Sequence, residues 1–206
     1  MKNLLHPRVL NKFSKLSSSL RFGRVKRRLK HFDKLHLASG KKILEGWGNI
    51  DFVGGGEVIG WNLTNDFPVN SNSVNYIFCE HFIEHITRKE ALKFLSECAR
   101  VLKSGGVLRV TTPNLEKLIQ EYSLQRTTEW ANVGWLPDTP CQMANEFFRS
   151  WEHKFSYDQQ ELSAILRQVG FGKVTPAAWR ESDISELRGL EFRPYHEEVI
   201  LEGIKL

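Results

Sequence analysis

The sequence has few cysteines and no long hydrophobic run. Its 206 residues include three cysteines, Cys79, Cys98 and Cys141, and no pair of them has the C-x-x-C spacing. An odd number of cysteines without paired spacing argues against a disulfide framework. No apolar run approaches the ~18 residues that span a membrane, and no secretory leader is recognisable at the start of the chain. These absences predict a cytoplasmic protein.

Acidic residues are missing from the first 30 positions, which contain ten lysines and arginines. The rest of the chain has 19 basic and 24 acidic side chains, so the net charge of +5 comes from this segment. We therefore divide the chain into a basic N-terminal arm, 1–33, and a main domain, 34–206. The arm is either a solvated tail, a lid on the body, or a basic amphipathic helix in peripheral contact with an anionic membrane through residues 1–30. Specific nucleic-acid binding is not expected, because no aromatic-basic sheet motif accompanies the charge.

From residue 34 onward, apolar strand patterns alternate with helical ones. Strands are predicted at 34–38, 49–52, 57–61, 73–80, 107–113, 173–179 and 197–206. Helices are predicted at 87–103, after Asn114 and between Asp158 and Gly170; Thr87 and Glu90 form a capping box before the first of them. This order predicts an α/β, Rossmann-like three-layer sandwich with a mostly parallel seven-stranded sheet. The last two strands are expected to form an antiparallel edge.

The segment 123–156 interrupts this alternation and is rich in aromatic residues. It contains Trp130, Trp135 and Trp151. Long loops in compact domains are usually functional or disordered. We therefore predict an irregular insertion that covers a binding site.

Polar residues follow several predicted strands at the point where each strand ends. Ligands of such sheets bind at the carboxyl ends of strands, near the point where strand order reverses. Gly40 follows the first strand, and Asp51 ends the second strand eleven residues later. A carboxylate at this position can accept both hydroxyls of a ribose. Asn62 and Leu63 follow the third strand, where an amide and a backbone group can bind an adenine edge, and the segment 80–85 follows the fourth.

Three segments carry a resemblance to a known family. They are "LHLASGKKILEGWGNIDF", "NLTNDFPVNSNSVNYIFCEHFIEH" and "RVLKSGGVLRVTTPN". Together they resemble the class I S-adenosylmethionine-dependent methyltransferases, in particular a small bacterial group whose members look like enzymes of polysaccharide biosynthesis. The resemblance covers roughly residues 34–206. It implies S-adenosyl-L-methionine as the cofactor and methyl transfer as the reaction.

The resemblance also implies roles for individual residues. The turn formed by His36, Leu37, Ala38, Ser39 and Gly40 would face the methionine part of the cofactor. Asp51 would hold the ribose, Asn62 and Leu63 would frame the adenine, and Glu80 and His81 would lie near the methyl group. The sequence departs from the family pattern at Ala38, where "ASG" replaces "GCG", and at Asn62 and Asn75, where the family usually has acids. We expect cofactor binding to be retained.

The implied reaction transfers a methyl group to an oxygen or nitrogen nucleophile of a small-molecule or glycan acceptor. A hydroxyl acceptor needs a general base, and histidine is the residue poised near neutral pH. The candidates are His81, His85 and His153, the last from the aromatic insertion. Glu181 and Asp183 are further candidates for contact with the acceptor.

Two alternatives remain. One is a catalytically inactive methyltransferase-like scaffold. The other follows from "HFIEH" at 81–85, which matches the inverted zinc-protease motif H-x-x-E-H, with His81 and His85 as zinc ligands and Glu84 as the base. That motif requires a helix, and helix signals begin only at Thr87. The main interpretation therefore includes no metal site.

Overall fold

The protein folds around one seven-stranded sheet. The computed structural model describes residues 20–127, 134–193 and 197–206. The strands are β1 Lys34–Leu37, β2 Gly48–Asp51, β3 Ile59–Gly60, β4 Val74–Glu80, β5 Leu102–Thr112, β6 Phe171–Pro176 and β7 Val199–Lys205. Their order in the sheet is β3-β2-β1-β4-β5-β7-β6.

The first five strands of the sheet are parallel, and β7 runs antiparallel to both of its neighbours, β5 and β6. The predicted fold class is therefore confirmed, with the edge strand β6 paired antiparallel to β7. The reversed strand itself lies one position in from the edge. Strand order changes direction between β1 and β4, which places the expected ligand site above the carboxyl ends of these two strands.

Five helices and two 3-10 turns within the described residues connect and flank the strands. They are α1 at 20–29, α2 Arg88–Val101, α3 Leu115–Ser123, α4 Pro140–Arg149 and α5 Gln159–Gln168, with short 3-10 turns at Ile83–His85 and Ser185–Leu187. The predicted caps are all present: the Thr87 and Glu90 capping box begins α2, Asn114 caps α3 and Asp158 caps α5. Among the described residues, no helix is both long and apolar enough to cross a bilayer.

The N-terminal helix α1 packs against the body of the protein. Val25 and Leu29 are buried in the same core as Leu35 and Leu37 of β1, and Phe22 packs against this core. The apolar side of α1 therefore faces the sheet, and its basic side chains face outward. Residues 1–19 of the predicted arm lie outside the described residues, and the division of the chain at residue 33 stays a prediction.

The aromatic insertion contains a regular helix, so its prediction as irregular was wrong. The Thr139 hydroxyl accepts a hydrogen bond from the Gln142 N–H at 3.1 Å, and Pro140 occupies the first turn of α4. Met143 and Phe147 are buried in a small cluster with Leu118 of α3. Trp130 lies outside the described residues.

All three cysteines are free thiols, in agreement with the sequence. Cys79 in β4 and Cys98 in α2 are buried, whereas Cys141 in α4 is exposed. Burial raises the pKa of both the Cys79 and the Cys98 thiols well above the ordinary value.

Candidate active site

The chain turns sharply where β1 ends, and this turn contacts the end of β2. Ala38 and Gly40 both have left-handed backbone angles, with φ of 55° and 54°. The Ser39 N–H donates to the carbonyl of Ile50 at 3.0 Å, and the Gly40 N–H donates to Oδ2 of Asp51 at 2.8 Å. The glycine and the carboxylate that the sequence placed at neighbouring strand ends are therefore in direct contact.

The surroundings of Asp51 combine a polar and an apolar surface. Its Oδ1 accepts a second hydrogen bond from the Val53 N–H at 3.3 Å. The side chains of Phe52 and Val53 are 70% and 74% exposed. Phe52 falls inside a strand predicted at 49–52, whereas β2 ends at Asp51; an aromatic residue directly after a strand-end acid is the local signal for this apolar surface.

His36 and Leu37 support the turn from behind. Leu37 is fully buried in the core. The His36 ring stacks on Phe78 with ring centroids 5.3 Å apart, and its Nδ1 lies 3.1 Å from Oδ1 of Asn49. Burial lowers the pKa of His36 to about 4, in spite of that hydrogen bond and the nearby Asp51 carboxylate. His36 is therefore neutral at neutral pH and offers no positive charge to a ligand.

The two residues predicted to frame an adenine lie directly after β3. Oδ1 of Asn62 accepts hydrogen bonds from the N–H and the hydroxyl of Thr64, at 3.0 and 2.9 Å. The donor that this side chain can offer a ligand is therefore its NH2 group. Leu63 places its side chain in the core, so its backbone is the part that can meet a ligand.

Glu80, at the end of β4, holds a distant segment over the turn. Its carboxylate accepts hydrogen bonds from the N–H groups of Phe192 and Arg193, at 3.1 and 3.2 Å. Burial raises the pKa of Glu80 although these two donors oppose the shift. The Phe192 ring lies 5.8 Å from the His36 ring and 5.5 Å from Nζ of Lys42. No local sequence pattern indicates Phe192 as a site residue, because its link to Glu80 spans 112 residues.

His81 and Glu84 form a buried polar pair beside Glu80. His81 has a left-handed backbone, with φ of 50°, and its N–H donates to the carbonyl of Thr111 at 3.1 Å. Its Nδ1 lies 3.4 Å from Oε1 of Glu84, and the Thr112 hydroxyl donates to Oε2 at 3.1 Å. Burial acts to raise the pKa of Glu84, but the hydrogen bond from His81 and the neighbouring imidazoles outweigh it and leave this pKa below its ordinary value.

The insertion brings His153 to this pair. The N–H groups of Lys154 and Phe155 donate to the carbonyl of Glu84 at 2.7 and 3.3 Å. The rings of His153 and His85 lie 5.1 Å apart, and burial lowers the pKa of His153. The structure thus gathers the three predicted catalytic histidines around one carboxylate.

The H-x-x-E-H segment does not form the α-helix that a zinc protease of that type requires. Only Ile83–His85 are helical, in a single 3-10 turn, and His81 lies before it with a left-handed backbone. The two histidines therefore do not lie one helical turn apart on a common face. The zinc-hydrolase alternative with His81 and His85 as paired helical ligands therefore has no support from the structure.

Glu181 and Asp183 line a different cavity. Its volume is about 530 Å³, and its wall includes Lys173, Arg180, Arg188 and Glu202. None of the strand-end residues at positions 36–85 belongs to this wall. The structure therefore gives no support to a role for these two acids beside the histidines.

Comparison with known proteins places the fold. Residues 55–110, from the loop before β3 into β5, match a family model described as a methyltransferase domain. A methyltransferase from Archaeoglobus fulgidus, described as SAM dependent, has a TM-score of 0.53 and 14% identity, covering 91% of this chain and 94% of that chain. The fold is that of S-adenosylmethionine-dependent methyltransferases.

Two further solved structures align over nearly all of the chain or all of it. A possible histamine N-methyltransferase from Thermotoga maritima has a TM-score of 0.50 and 18% identity, covering 97% of both chains. The structure of PigF with SAH has a TM-score of 0.50 and 12% identity, covering 100% of this chain and 63% of that chain. No curated protein matches the sequence.

Proposed function

We propose that this protein transfers a methyl group from S-adenosylmethionine to an oxygen or nitrogen nucleophile of a small-molecule or glycan acceptor. The observation that carries the proposal is the 2.8 Å contact between the Gly40 N–H and Asp51 Oδ2. It sets a carboxylate beside a tight turn at the carboxyl ends of two adjacent strands, where folds of this kind bind nucleotides. Two ribose hydroxyls can donate to such a carboxylate.

The residues around this contact fit an adenosyl cofactor. A Cβ placed on Gly40 would meet nothing within 4 Å, so the space beside the turn is open. The Ser39 hydroxyl is buried and has no hydrogen-bond partner among the described residues, and a polar group of the cofactor would supply one. Within the described part of the chain, the Asp51 carboxylate accepts two hydrogen bonds, both from backbone N–H groups, while an ionised carboxylate has about four acceptor positions. Phe52 offers an exposed ring for the adenine.

Bound S-adenosylmethionine supplies an electrophilic methyl group on a sulfonium, so the protein has to position the acceptor, exclude water and remove a proton. We assign His81 as the base that removes the proton from the acceptor. Its Nδ1 lies 3.4 Å from Oε1 of Glu84, and in the tautomer that carries the proton on Nδ1, toward this carboxylate, the basic nitrogen of the neutral ring is Nε2. The buried carboxylate then stabilises the imidazolium that forms. His85 and His153 stay candidates on the acceptor side.

The insertion supports a sugar as the acceptor. Trp151 is 42% exposed, its ring lies 5.8 Å from His153, and Phe148 on α4 is also exposed. Exposed aromatic rings beside a polar cluster suit the apolar face and the hydroxyls of a sugar.

The first experiment is a calorimetric titration of the protein with S-adenosylmethionine and S-adenosylhomocysteine. The wild-type protein should bind both. Asp51→Ala should weaken binding about 100-fold, since hydrogen bonds to a charged group contribute roughly 1.5–3 kcal/mol each. The matched control is Asp66→Ala, which removes an exposed carboxylate paired with Lys93 and should bind as the wild type does.

Transfer of a radiolabelled methyl group to a panel of sugar nucleotides, oligosaccharides and amines then identifies the acceptor class. Absence of binding by the wild-type protein, or unchanged binding by Asp51→Ala, would refute the proposed site. If the protein is an inactive scaffold, it will bind no cofactor or transfer no methyl label. Label found only on amines would exclude a glycan as the methyl acceptor.

A further inference from the structure

A second set of ligands lies where the insertion meets the turn after β4. Glu84, His85 and His153 each place one nitrogen or carboxylate oxygen so that these atoms all lie within 4.8 Å of one another. We propose that these three residues bind a divalent transition-metal ion, with Zn²⁺ as the reference ion. This inference goes beyond methyl transfer and does not depend on cofactor binding.

Backbone hydrogen bonds assemble the cluster without help from an ion. The carbonyl of Glu84 accepts from the N–H groups of Lys154 and Phe155, which fixes the chain directly after His153 against the 3-10 turn. The His85 N–H donates to the carbonyl of Phe82 at 3.0 Å and closes that turn. The three side chains are therefore presented by backbone that the fold already holds, which lowers the cost of ordering them around a ligand.

The separations suit coordination better than direct hydrogen bonding. Oε1 of Glu84 lies 3.8 Å from Nε2 of His85, which is too far for a hydrogen bond. Two ligand atoms bound to tetrahedral zinc at about 2.0–2.1 Å lie roughly 3.3 Å apart. No separation in the cluster exceeds 4.8 Å, so no pair of ligand atoms would have to approach by more than about 1.5 Å. Small side-chain rotations provide such a movement.

The ligand types select the ion. Two imidazoles and one carboxylate form the protein ligands of known catalytic zinc sites, and they leave one position open for water or an acceptor hydroxyl. Mg²⁺ and Ca²⁺ instead prefer sets made of oxygen ligands. We therefore expect Zn²⁺ or Co²⁺ to bind, and Mg²⁺ and Ca²⁺ not to bind.

The shell around the cluster is that of a metal site. The Thr112 hydroxyl donates to one oxygen of Glu84, and Nδ1 of His81 lies beside the other, so both orient the carboxylate. Nδ1 of His153 is buried and has no hydrogen-bond partner among the described residues. The rings of Phe147 and Trp151 lie 5.5 and 5.8 Å from the His153 ring and flank it.

The test is titration of the full chain with Zn²⁺, followed by metal analysis after dialysis and by the visible absorption of bound Co²⁺. The wild-type protein should retain one equivalent. His85→Ala and His153→Ala should each lower the affinity at least about 10-fold, because even groups outside the direct ligand set change metal affinity by 10–100-fold. His85 is partly exposed, so its replacement carries little risk for folding.

Two control variants test for adventitious binding. His31→Ala removes an exposed imidazole and Cys141→Ser removes the exposed thiol, and both should bind Zn²⁺ as the wild type does. The proposal is overturned if the wild type retains no Zn²⁺, if His85→Ala and His153→Ala bind it unchanged, or if Mg²⁺ binds equally well. Equal losses in the two control variants would also overturn it. Since no readout uses S-adenosylmethionine, failure here leaves the proposed methyl transfer unaffected.

Discussion

The residues of the first turn show how local strain and burial shape the site. Ala38 adopts a left-handed backbone in which an L-residue loses roughly 1–2 kcal/mol. Glycine would avoid that cost, and it stands at this position in the "GCG" pattern of the methyltransferases that the sequence resembles. The sequence identified the substitution but not its consequence, because φ depends on the path that the chain takes between β1 and the Asp51 carboxylate. The fold therefore keeps the turn in place despite an unfavourable residue.

At the same scale, His36 makes stability depend on pH. The unfolded chain binds a proton at this ring near the ordinary pKa of 6.5, whereas the folded protein binds it only near pH 4. Between these values the unfolded state binds more protons, so the free energy of unfolding falls as the pH falls, by about 3 kcal/mol over the whole window. Between pH 7 and pH 4, the free energy of unfolding of His36→Gln should therefore fall by about 3 kcal/mol less than that of the wild type. Denaturant unfolding at the two pH values measures the difference.

His31→Gln, at an exposed histidine, serves as the control and should follow the wild-type curve. Parallel curves for His36→Gln and the wild type would show that burial does not shift the His36 pKa.

At the scale of elements, local signals predicted α2, α3 and α5 and the sheet, whereas long-range packing decided the rest. Gly105 and Gly106 lie just after the helix that the sequence predicts at 87–103. The helix α2 ends already at Val101, and β5 continues through both glycines. A Cβ on Gly106 would lie 2.9 Å from the carbonyl oxygen of Lys103 and 3.1 Å from that of Asn75. Close packing of β5 on its neighbour, which no local pattern encodes, therefore requires glycine there.

The candidate site likewise combines contacts that local sequence predicts with contacts that depend on long-range packing. The contact between Gly40 and Asp51 was predictable because Gly40 lies in the turn after one strand and Asp51 ends the next strand along the chain. Two other contacts were not predictable, because each joins segments far apart in the sequence. One attaches Phe192 to Glu80, and the other attaches the chain after His153 to the 3-10 turn. The helix α4 did have a local signal, Thr139 followed by Pro140, which is typical of a helix start.

The capping box at the start of α2 should contribute measurably to the stability of the protein. The Thr87 N–H and hydroxyl both donate to Oε2 of Glu90 at 2.8 Å, and the Glu90 N–H donates back to the hydroxyl at 3.3 Å. Thr87→Ala should lower the free energy of unfolding by about 1 kcal/mol. Ser96→Ala, on the exposed surface of the same helix, should change it by less than about 0.5 kcal/mol. Equal effects of the two variants in denaturant unfolding would argue against the cap.

At the scale of the whole molecule, one buried arginine joins the sheet to the segment before β7. Arg109 in β5 is fully buried; its Nε lies 2.5 Å from Oε1 of Glu191 and its Nη1 lies 2.6 Å from Oε1 of Glu202. Its guanidinium also donates to the carbonyls of Ala178 and Glu181, each at 2.9 Å. This network connects β5, β7 and the loop that leads to Phe192.

Arg109→Met should destabilise the protein by about 3–5 kcal/mol, because it leaves two carboxylates buried without a cation. Arg88→Met removes a partly exposed ion pair with Glu161 and should lower the free energy of unfolding by less than about 1 kcal/mol. Guanidinium unfolding measures both changes. A similar small loss in the two variants would mean that the buried network contributes little.

Also at this scale, contact with an anionic membrane through residues 1–30 stays a prediction. Because Phe22, Val25 and Leu29 pack on the core, the described part of this segment would contribute mainly its cations. Apolar insertion would then depend on residues 1–19.

The positions of the three thiols have a practical consequence. Cys79 and Cys98 are buried and their raised pKa values leave almost no thiolate at neutral pH, so neither reacts readily with an electrophile. Cys141 is exposed on α4, within the segment that covers the histidines. A maleimide dye should therefore attach at this single position of the unmodified protein. Its fluorescence would test whether the surroundings of α4 change when an acceptor is added.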